Sequence, residues 1–72
     1  MDKNNKIELI AEVLDIEPEA INEDMNLKEM DEWDSLAILS FIVMMGDEFN
    51  KTVTGEDVKK LITVADALAI ME

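Results

Sequence analysis

The sequence predicts an all-α fold: a small four-helix bundle with a short third helix and a long loop between the first two helices. Three observations predict it. Apolar residues recur at helical spacing in separate segments, and no strand-like alternation competes with them. Signals for helix starts stand before the later segments. Pro occurs once and Gly twice in 72 residues, so few positions interrupt a helix. We expect one domain over residues 1–72.

The first helix is predicted over about residues 4 to 15, where the apolar positions include Ile7, Ile10 and Leu14. Pro18 then stops the helix, and residues 17–30 show no sustained period. One helical turn is predicted to begin at Pro18. Three apolar side chains are expected to anchor this loop to the core: Ile21, Met25 and Leu27.

The second helix is predicted over about residues 35 to 49, and it is apolar around most of its circumference. One face is expected to enter the core and carries Ile38, Phe41, Ile42, Met45 and Phe49. A four-helix core cannot fully cover the remaining apolar residues, which are Leu36, Leu39, Val43 and Met44. Surplus apolar surface on a small domain indicates a binding face.

Two further helices are predicted over about residues 55 to 61 and 64 to 71. Each is preceded by a threonine with an aspartate three residues later, Thr54 with Asp57 and Thr63 with Asp66. This spacing is a variant of the capping box, in which the two side chains each accept a backbone N–H. The buried positions are expected to include Val58, Leu61, Val64, Ala67, Leu68 and either Ile70 or Met71.

The composition restricts the possible functions. Eighteen acidic residues against six lysines give a net charge of −12, which repels nucleic acid and anionic lipid and favours basic protein partners. His and Cys are absent, so the usual general base and the thiol nucleophile are missing and we expect no enzyme. No signal peptide or membrane-inserting segment is recognisable. A cytoplasmic monomer without a metal site is expected.

Asp34 and Ser35 lie where the long loop meets the second helix, and by themselves they have an ordinary structural explanation. Either side chain can cap the helix, which is worth about 1 kcal/mol. A hydrolytic role is excluded because a nucleophilic serine needs an activating base and His is absent.

Asp34-Ser35-Leu36 opens a long apolar helix halfway along a short acidic chain, and in this setting it resembles the attachment motif of the acyl and peptidyl carrier protein family. The resemblance covers nearly the whole chain. Further segments similar to the family are Ile7 to Leu14, Asp47-Glu48-Phe49, Val53-Thr54 and Thr63-Val64-Ala65-Asp66.

The resemblance implies that a phosphopantetheinyl transferase moves 4′-phosphopantetheine from coenzyme A to Ser35, with Asp34 and Leu36 completing the motif. Asp34 would help the transferase to recognise the site and to bind its metal. The chain would carry acyl or aminoacyl thioesters in fatty-acid, polyketide or specialised acyl-transfer pathways. Its partners would be the transferase and acyl-transferring or synthase enzymes with basic docking surfaces, bound through Leu36, Leu39, Val43, Met44 and Asp47.

Several features depart from the commoner fatty-acid carriers and favour a dedicated partner. Trp33 precedes the motif where a small residue is frequent, although packing against the bundle is its preferred interpretation. The partner-facing side of the second helix is less acidic than usual, with Ala37, Ser40, Val43, Met44 and Gly46, and the third helix carries Lys59 and Lys60. The alternative function is a helical adaptor domain in which Ser35 is only a helix cap.

Overall fold

The computed structural model describes residues 2–71, and within them the chain forms four α-helices. They are α1 (Lys3–Leu14), α2 (Ser35–Phe49), α3 (Gly55–Lys59) and α4 (Val64–Ile70), with short 3₁₀ turns at Pro18–Ala20 and Leu27–Glu29. Residues 2–71 contain no strand, and one isolated antiparallel bridge joins Asn26 to Thr63. The predicted all-α bundle, with its short third helix and long first loop, is confirmed.

The helix starts follow from local hydrogen bonds. Thr54 and Thr63 accept the N–H groups of Asp57 and Asp66, and the two aspartates accept the threonine N–H groups in return, so both predicted capping boxes form. The cap of α1 was not predicted: the Asp2 carboxylate accepts the N–H of Asn5. With that cap, α1 begins at Lys3, one residue before the predicted start.

Three helix ends differ from the prediction, and the smallest difference is at α4, which stops at Ile70 instead of residue 71. Asp15 adopts a left-handed conformation with φ of 58°, so α1 stops at Leu14. The third helix was predicted to reach residue 61 but stops at Lys59. After α3, the Leu61 N–H donates to the Val58 carbonyl in a last short turn. The carbonyl of the following residue, Ile62, accepts the N–H of Leu27 in the first loop.

The core lies between the four helices and the first loop. Its fully buried large side chains come from every part of the chain: Phe41 and Met45 on α2, Val58 on α3, Val64 on α4, Leu27 in the loop and Met71 after α4. α1 contributes Ile10 and Leu14. Ile21 and Met25 pack against this cluster from the loop, as predicted.

Backbone bonds tie the first loop to the segment that enters α4. The Leu27 N–H donates to the Ile62 carbonyl at 2.8 Å, the Val64 N–H to the Met25 carbonyl at 3.0 Å, and the Ala65 N–H to the Glu23 carbonyl at 3.1 Å. The long connection before α2 is therefore held in place by hydrogen bonds as well as by its apolar anchors. Among residues 2–71, no helix combines the length and apolarity that crossing a bilayer requires.

Candidate functional site

The candidate site is the start of α2, where the loop ends and the helix begins. Asp34 has an extended backbone and is the N-cap, because its Oδ1 accepts the Ala37 N–H at 3.0 Å. Its carbonyl also accepts the Ile38 N–H at 2.9 Å. The capping role predicted for Asp34 is confirmed. Asp34 is an exposed residue and directly precedes Ser35.

Ser35 is the first residue of α2 and is exposed to solvent. The capping bond belongs to Asp34, so capping does not account for a serine at this position. By their place in the helix, the N–H groups of Ser35 and Leu36 have no intrahelical acceptor. A phosphodiester on the Ser35 hydroxyl would meet these N–H groups and the positive end of the helix dipole, so the residues present fit such a group.

Trp33, the residue before Asp34, packs against the core next to the start of α2. Its side chain is partly buried against the core, and its ring lies edge-to-face on Phe41, with ring centres 5.8 Å apart and planes at 74°. Its N–H donates to the Met30 carbonyl at 3.1 Å. The packing interpretation of Trp33 is confirmed, and the indole fixes the loop against the first turns of α2.

A stripe of exposed apolar side chains runs along α2, beginning next to Ser35. Leu36, Leu39 and Val43 are 72%, 58% and 54% exposed, as predicted for surplus apolar surface. Their spacing of three and four residues places them on one side of the helix. Asp47 continues this side and is exposed. These four predicted partner-binding residues therefore share one accessible surface with the start of α2.

Two residues assigned to this surface from sequence are in the core. Met44 is only 9% exposed and Ala37 only 5%. Both predictions were wrong because Ala37, Phe41 and Met44 follow one another at helical spacing on the side of α2 that enters the core. Met44 therefore belongs to the buried stripe, and the exposed surface is narrower than predicted.

The contribution of α1 to this region was not predicted from the sequence. Leu9, Glu12 and Val13 line a surface depression together with Leu39 and Val43 of α2. Leu9 and Val13 are partly buried against the core and also line this depression, so their apolar character alone did not distinguish the two roles. The hydrophobic periodicity of each helix does not predict that α1 packs against α2, because this contact forms only in the folded chain.

Two carboxylates with lowered pKa values lie away from Ser35, at the starts of α3 and α4. The backbone N–H of Thr54 stabilises the charged carboxylate of Asp57 and lowers its pKa. The N–H groups of Thr63 and then Ile62 do the same for the pKa of Asp66. In the acidic part of the first loop, Glu23 forms an exposed ion pair with Lys3, with Nζ and Oε2 2.7 Å apart.

Comparisons with known proteins agree with this geometry. The family model described as "Phosphopantetheine attachment site" matches residues 7–70. The acyl carrier protein of Lactobacillus acidophilus is 30% identical over 69 residues, which cover 94% of this chain and 86% of that protein. The acyl carrier proteins of Wolinella succinogenes and an Exiguobacterium species are 28% and 32% identical over 65 residues, 90% of this chain and 86% and 82% of theirs.

Proposed function

The chain belongs to the phosphopantetheine attachment site family of acyl carrier proteins, and from this membership we propose that Ser35 is the residue that bears the arm. The protein is a carrier and not an enzyme, and its cofactor is a covalently attached 4′-phosphopantetheine group. The thiol of that group supplies the thioester chemistry that a chain without Cys lacks.

The proposed modification is a phosphoryl transfer to the Ser35 hydroxyl. The serine oxygen forms a new bond to the phosphorus of the 4′-phosphopantetheine group of coenzyme A. The bond from that phosphorus to the adenosine bisphosphate breaks, adenosine 3′,5′-bisphosphate leaves, and the hydroxyl proton goes to the transferase or to solvent. Asp34 contributes an exposed carboxylate beside the reacting hydroxyl, suited to a metal ion held by the transferase.

One observation carries the assignment: Ser35 is exposed at the first position of α2 while its neighbour Asp34 makes the cap. The adaptor alternative explained Ser35 as a helix cap, and the structure gives that role to Asp34. Ser35 is therefore exposed at the helix start while the cap is made by Asp34, and this accessibility supports arm attachment at its hydroxyl.

The test is modification by coenzyme A and a broad-specificity phosphopantetheinyl transferase, followed by mass spectrometry of the intact chain and of its peptides. The parent chain is expected to gain the mass of one phosphopantetheine group on the peptide that contains Ser35. Ser35→Ala is expected to gain none. Its fold should be unaffected, because Asp34 keeps the cap and Ala is a good helix former.

Ser40→Ala is the matched control, since Ser40 is the other serine of the chain and is also exposed on α2. This variant should be modified like the parent. Modification that persists in Ser35→Ala would place the arm elsewhere. A parent chain that several transferases leave unmodified, while its circular dichroism is that of a folded helical domain, would favour the adaptor function.

We further propose that this carrier works with one dedicated partner enzyme. Leu36, Leu39 and Val43 form an exposed apolar surface beside Ser35, with Asp47 at its far end. This surface suits an enzyme whose docking site combines apolar side chains with Lys or Arg, because the net charge of −12 steers such a partner to the chain. The cargo is an acyl or aminoacyl thioester, delivered in a specialised transfer step.

A further inference from the structure

Trp33 is the last partly buried residue before Ser35. Of the nine residues 28–36, seven are exposed, and only Met30 and Trp33 are partly buried against the core. The next buried residue along the chain is Ala37, in the first turn of α2. The attachment serine is therefore the middle one of three exposed residues, which Trp33 holds at one end and Ala37 at the other.

Backbone hydrogen bonds connect Trp33 to the buried part of the first loop. The Trp33 N–H donates to the Met30 carbonyl at 3.1 Å, and the Met30 N–H donates to the Leu27 carbonyl at 3.2 Å. Leu27 is fully buried, and its own N–H is bonded to the Ile62 carbonyl. The chain from Leu27 to Trp33 therefore follows two consecutive turns that start in the core and end at the residue that carries the indole.

The indole joins the end of the loop to the helix that bears Ser35. Asp34 is the N-cap of α2, so Trp33 is the residue just before the cap. An apolar residue at that position often packs on the fourth helical residue, and this hydrophobic staple fixes the angle at which the chain enters the helix. The Trp33 ring reaches further, because it packs edge-to-face on the fully buried Phe41, the seventh residue of α2. The contact therefore spans about the first two turns of the helix.

We propose that Trp33 is a positioning residue for arm attachment: by packing on Phe41, it fixes the direction in which the chain enters α2 and thereby the place of the Ser35 hydroxyl. This inference rests on the proposed attachment at Ser35. Phosphoryl transfer requires the attacking oxygen in line with the bond that breaks, and a displacement of about 1 Å can cost about 100-fold in rate. Without the indole, the residues around Ser35 keep only the anchor on the helix side, so the hydroxyl occupies the reactive place less often.

The proposed docking surface does not depend on this contact. Leu36, Leu39 and Val43 belong to α2 itself, which Phe41 and Met45 still hold in the core when the indole is removed. Loss of the indole should therefore lower the kcat of a phosphopantetheinyl transferase and leave its KM near the parent value. Loss of a docking side chain does the reverse, because it weakens binding but leaves the bound serine in place.

The experiment measures loading of the intact chain by a phosphopantetheinyl transferase with coenzyme A. Mass spectrometry first establishes that the parent takes one arm on Ser35. Trp33→Ala is expected to lower kcat about tenfold or more, with KM within about twofold of the parent. Trp33→Phe keeps an aromatic ring on Phe41 and should recover most of the parent kcat. The Ala37 amide, which donates to the Asp34 cap, should exchange its hydrogen faster in Trp33→Ala and stay slow in Trp33→Phe.

Ile70→Ala is the matched control, because Ile70 is also a partly buried apolar residue packed against the core, but at the end of α4. It should lower the melting temperature, as Trp33→Ala does, and leave kcat and KM at the parent values. Kinetics are measured at a temperature at which circular dichroism shows each variant to be folded. Trp33→Leu, which keeps apolar volume without a ring, serves if Trp33→Ala does not fold, and it should also lower kcat.

The outcomes separate this inference from the proposed function. A parent chain that takes no arm on Ser35 overturns the attachment, and the positioning role falls with it. A loaded parent whose Trp33→Ala variant keeps the parent kcat, or shows a raised KM alone, overturns the positioning role and leaves the attachment standing. An equal fall in kcat in Trp33→Phe or Ile70→Ala also overturns it, because the ring contact would then not be the cause. A fall in kcat in Trp33→Ala but in neither of these variants supports it.

Discussion

At the start of α2, two adjacent residues have different roles: Asp34 has a structural role, and Ser35 has the proposed chemical one. Asp34 closes the helix through its bond to the Ala37 N–H, and Ser35 remains exposed as the first helical residue. A single serine in the cap position would have its hydroxyl engaged with the backbone. Placing the cap on Asp34 keeps the Ser35 hydroxyl accessible while the helix start stays ordered.

The capping boxes of α3 and α4 give the fold a dependence on pH. Asp66 accepts the N–H groups of both Ile62 and Thr63, at 3.0 and 3.1 Å, and these bonds lower its pKa in the folded state. A carboxyl with a lowered folded pKa contributes stability above its unfolded pKa and loses it as the pH falls through the folded pKa. The unfolded value is about 3.8, so the loss occurs below about pH 4.

Asp66→Asn should therefore have a lower melting temperature than the parent at pH 6, and the difference should shrink steadily below pH 4. The asparagine keeps an acceptor but has no charge to titrate. Thermal melts of both chains from pH 6 to pH 2.5 measure this. Glu8→Gln, which removes an exposed carboxylate on α1, is the control. A parent-minus-Asn difference that stays constant over this range would contradict the linkage.

At the scale of the elements, α2 presents two apolar sides with different roles. Phe41, Met44 and Met45 point into the core, whereas Leu36, Leu39 and Val43 remain in solvent. The helix therefore holds the bundle together with one side and offers a contact surface with the other. Neighbouring residues 43 and 44 fall on opposite sides of this division, which makes them a matched pair for testing it.

Met44→Ala should destabilise the fold by about 2–5 kcal/mol, because it leaves a cavity in the core. Val43→Ala should change the free energy of unfolding by no more than about 0.5 kcal/mol. Val43→Ala should instead raise the KM of a phosphopantetheinyl transferase roughly fivefold, as expected for a contact worth about 1 kcal/mol. Urea unfolding and steady-state kinetics give the two quantities.

The control for this pair is Ile62→Ala, which removes an equally exposed apolar side chain away from the α2 surface. It should leave both stability and KM near the parent values. A Val43 variant with the parent KM, or one that is destabilised as much as Met44→Ala, would show that the docking surface has been misplaced.

The positions of the helices could be predicted from the sequence, but the way in which they pack could not. Periodicity, one proline and two capping boxes located the four helices to within two residues, and α2 was predicted at its observed bounds. Met44 was misplaced because an almost wholly apolar helix does not reveal which side its neighbours cover. The hydrogen bonds of Leu27 and Val64 were also unpredictable, since they join backbone groups whose register depends on the folded chain.

At the scale of the whole molecule, the negative charge is concentrated in a small volume. The described residues span 26 × 25 × 18 Å and contain one ion pair, between the exposed side chains of Lys3 and Glu23. An exposed pair of this kind contributes little to stability. The Lys51 Nζ donates to the Ile70 carbonyl at 3.1 Å, where its charge complements the negative end of the α4 dipole.

The fold should therefore gain stability as salt is added. At 0.01 M ionic strength the Debye length is about 30 Å, longer than the molecule, so every carboxylate repels every other; at 0.15 M it is about 8 Å, and only neighbours interact. With a net charge of −12, the melting temperature should rise by several degrees between these conditions. Melts in sodium chloride and in tetramethylammonium chloride of equal ionic strength separate screening from specific cation binding. Equal rises in both salts mean screening, a rise in sodium chloride alone means bound cations, and an unchanged midpoint in both would show that the folded chain carries no net repulsive penalty relative to its unfolded state.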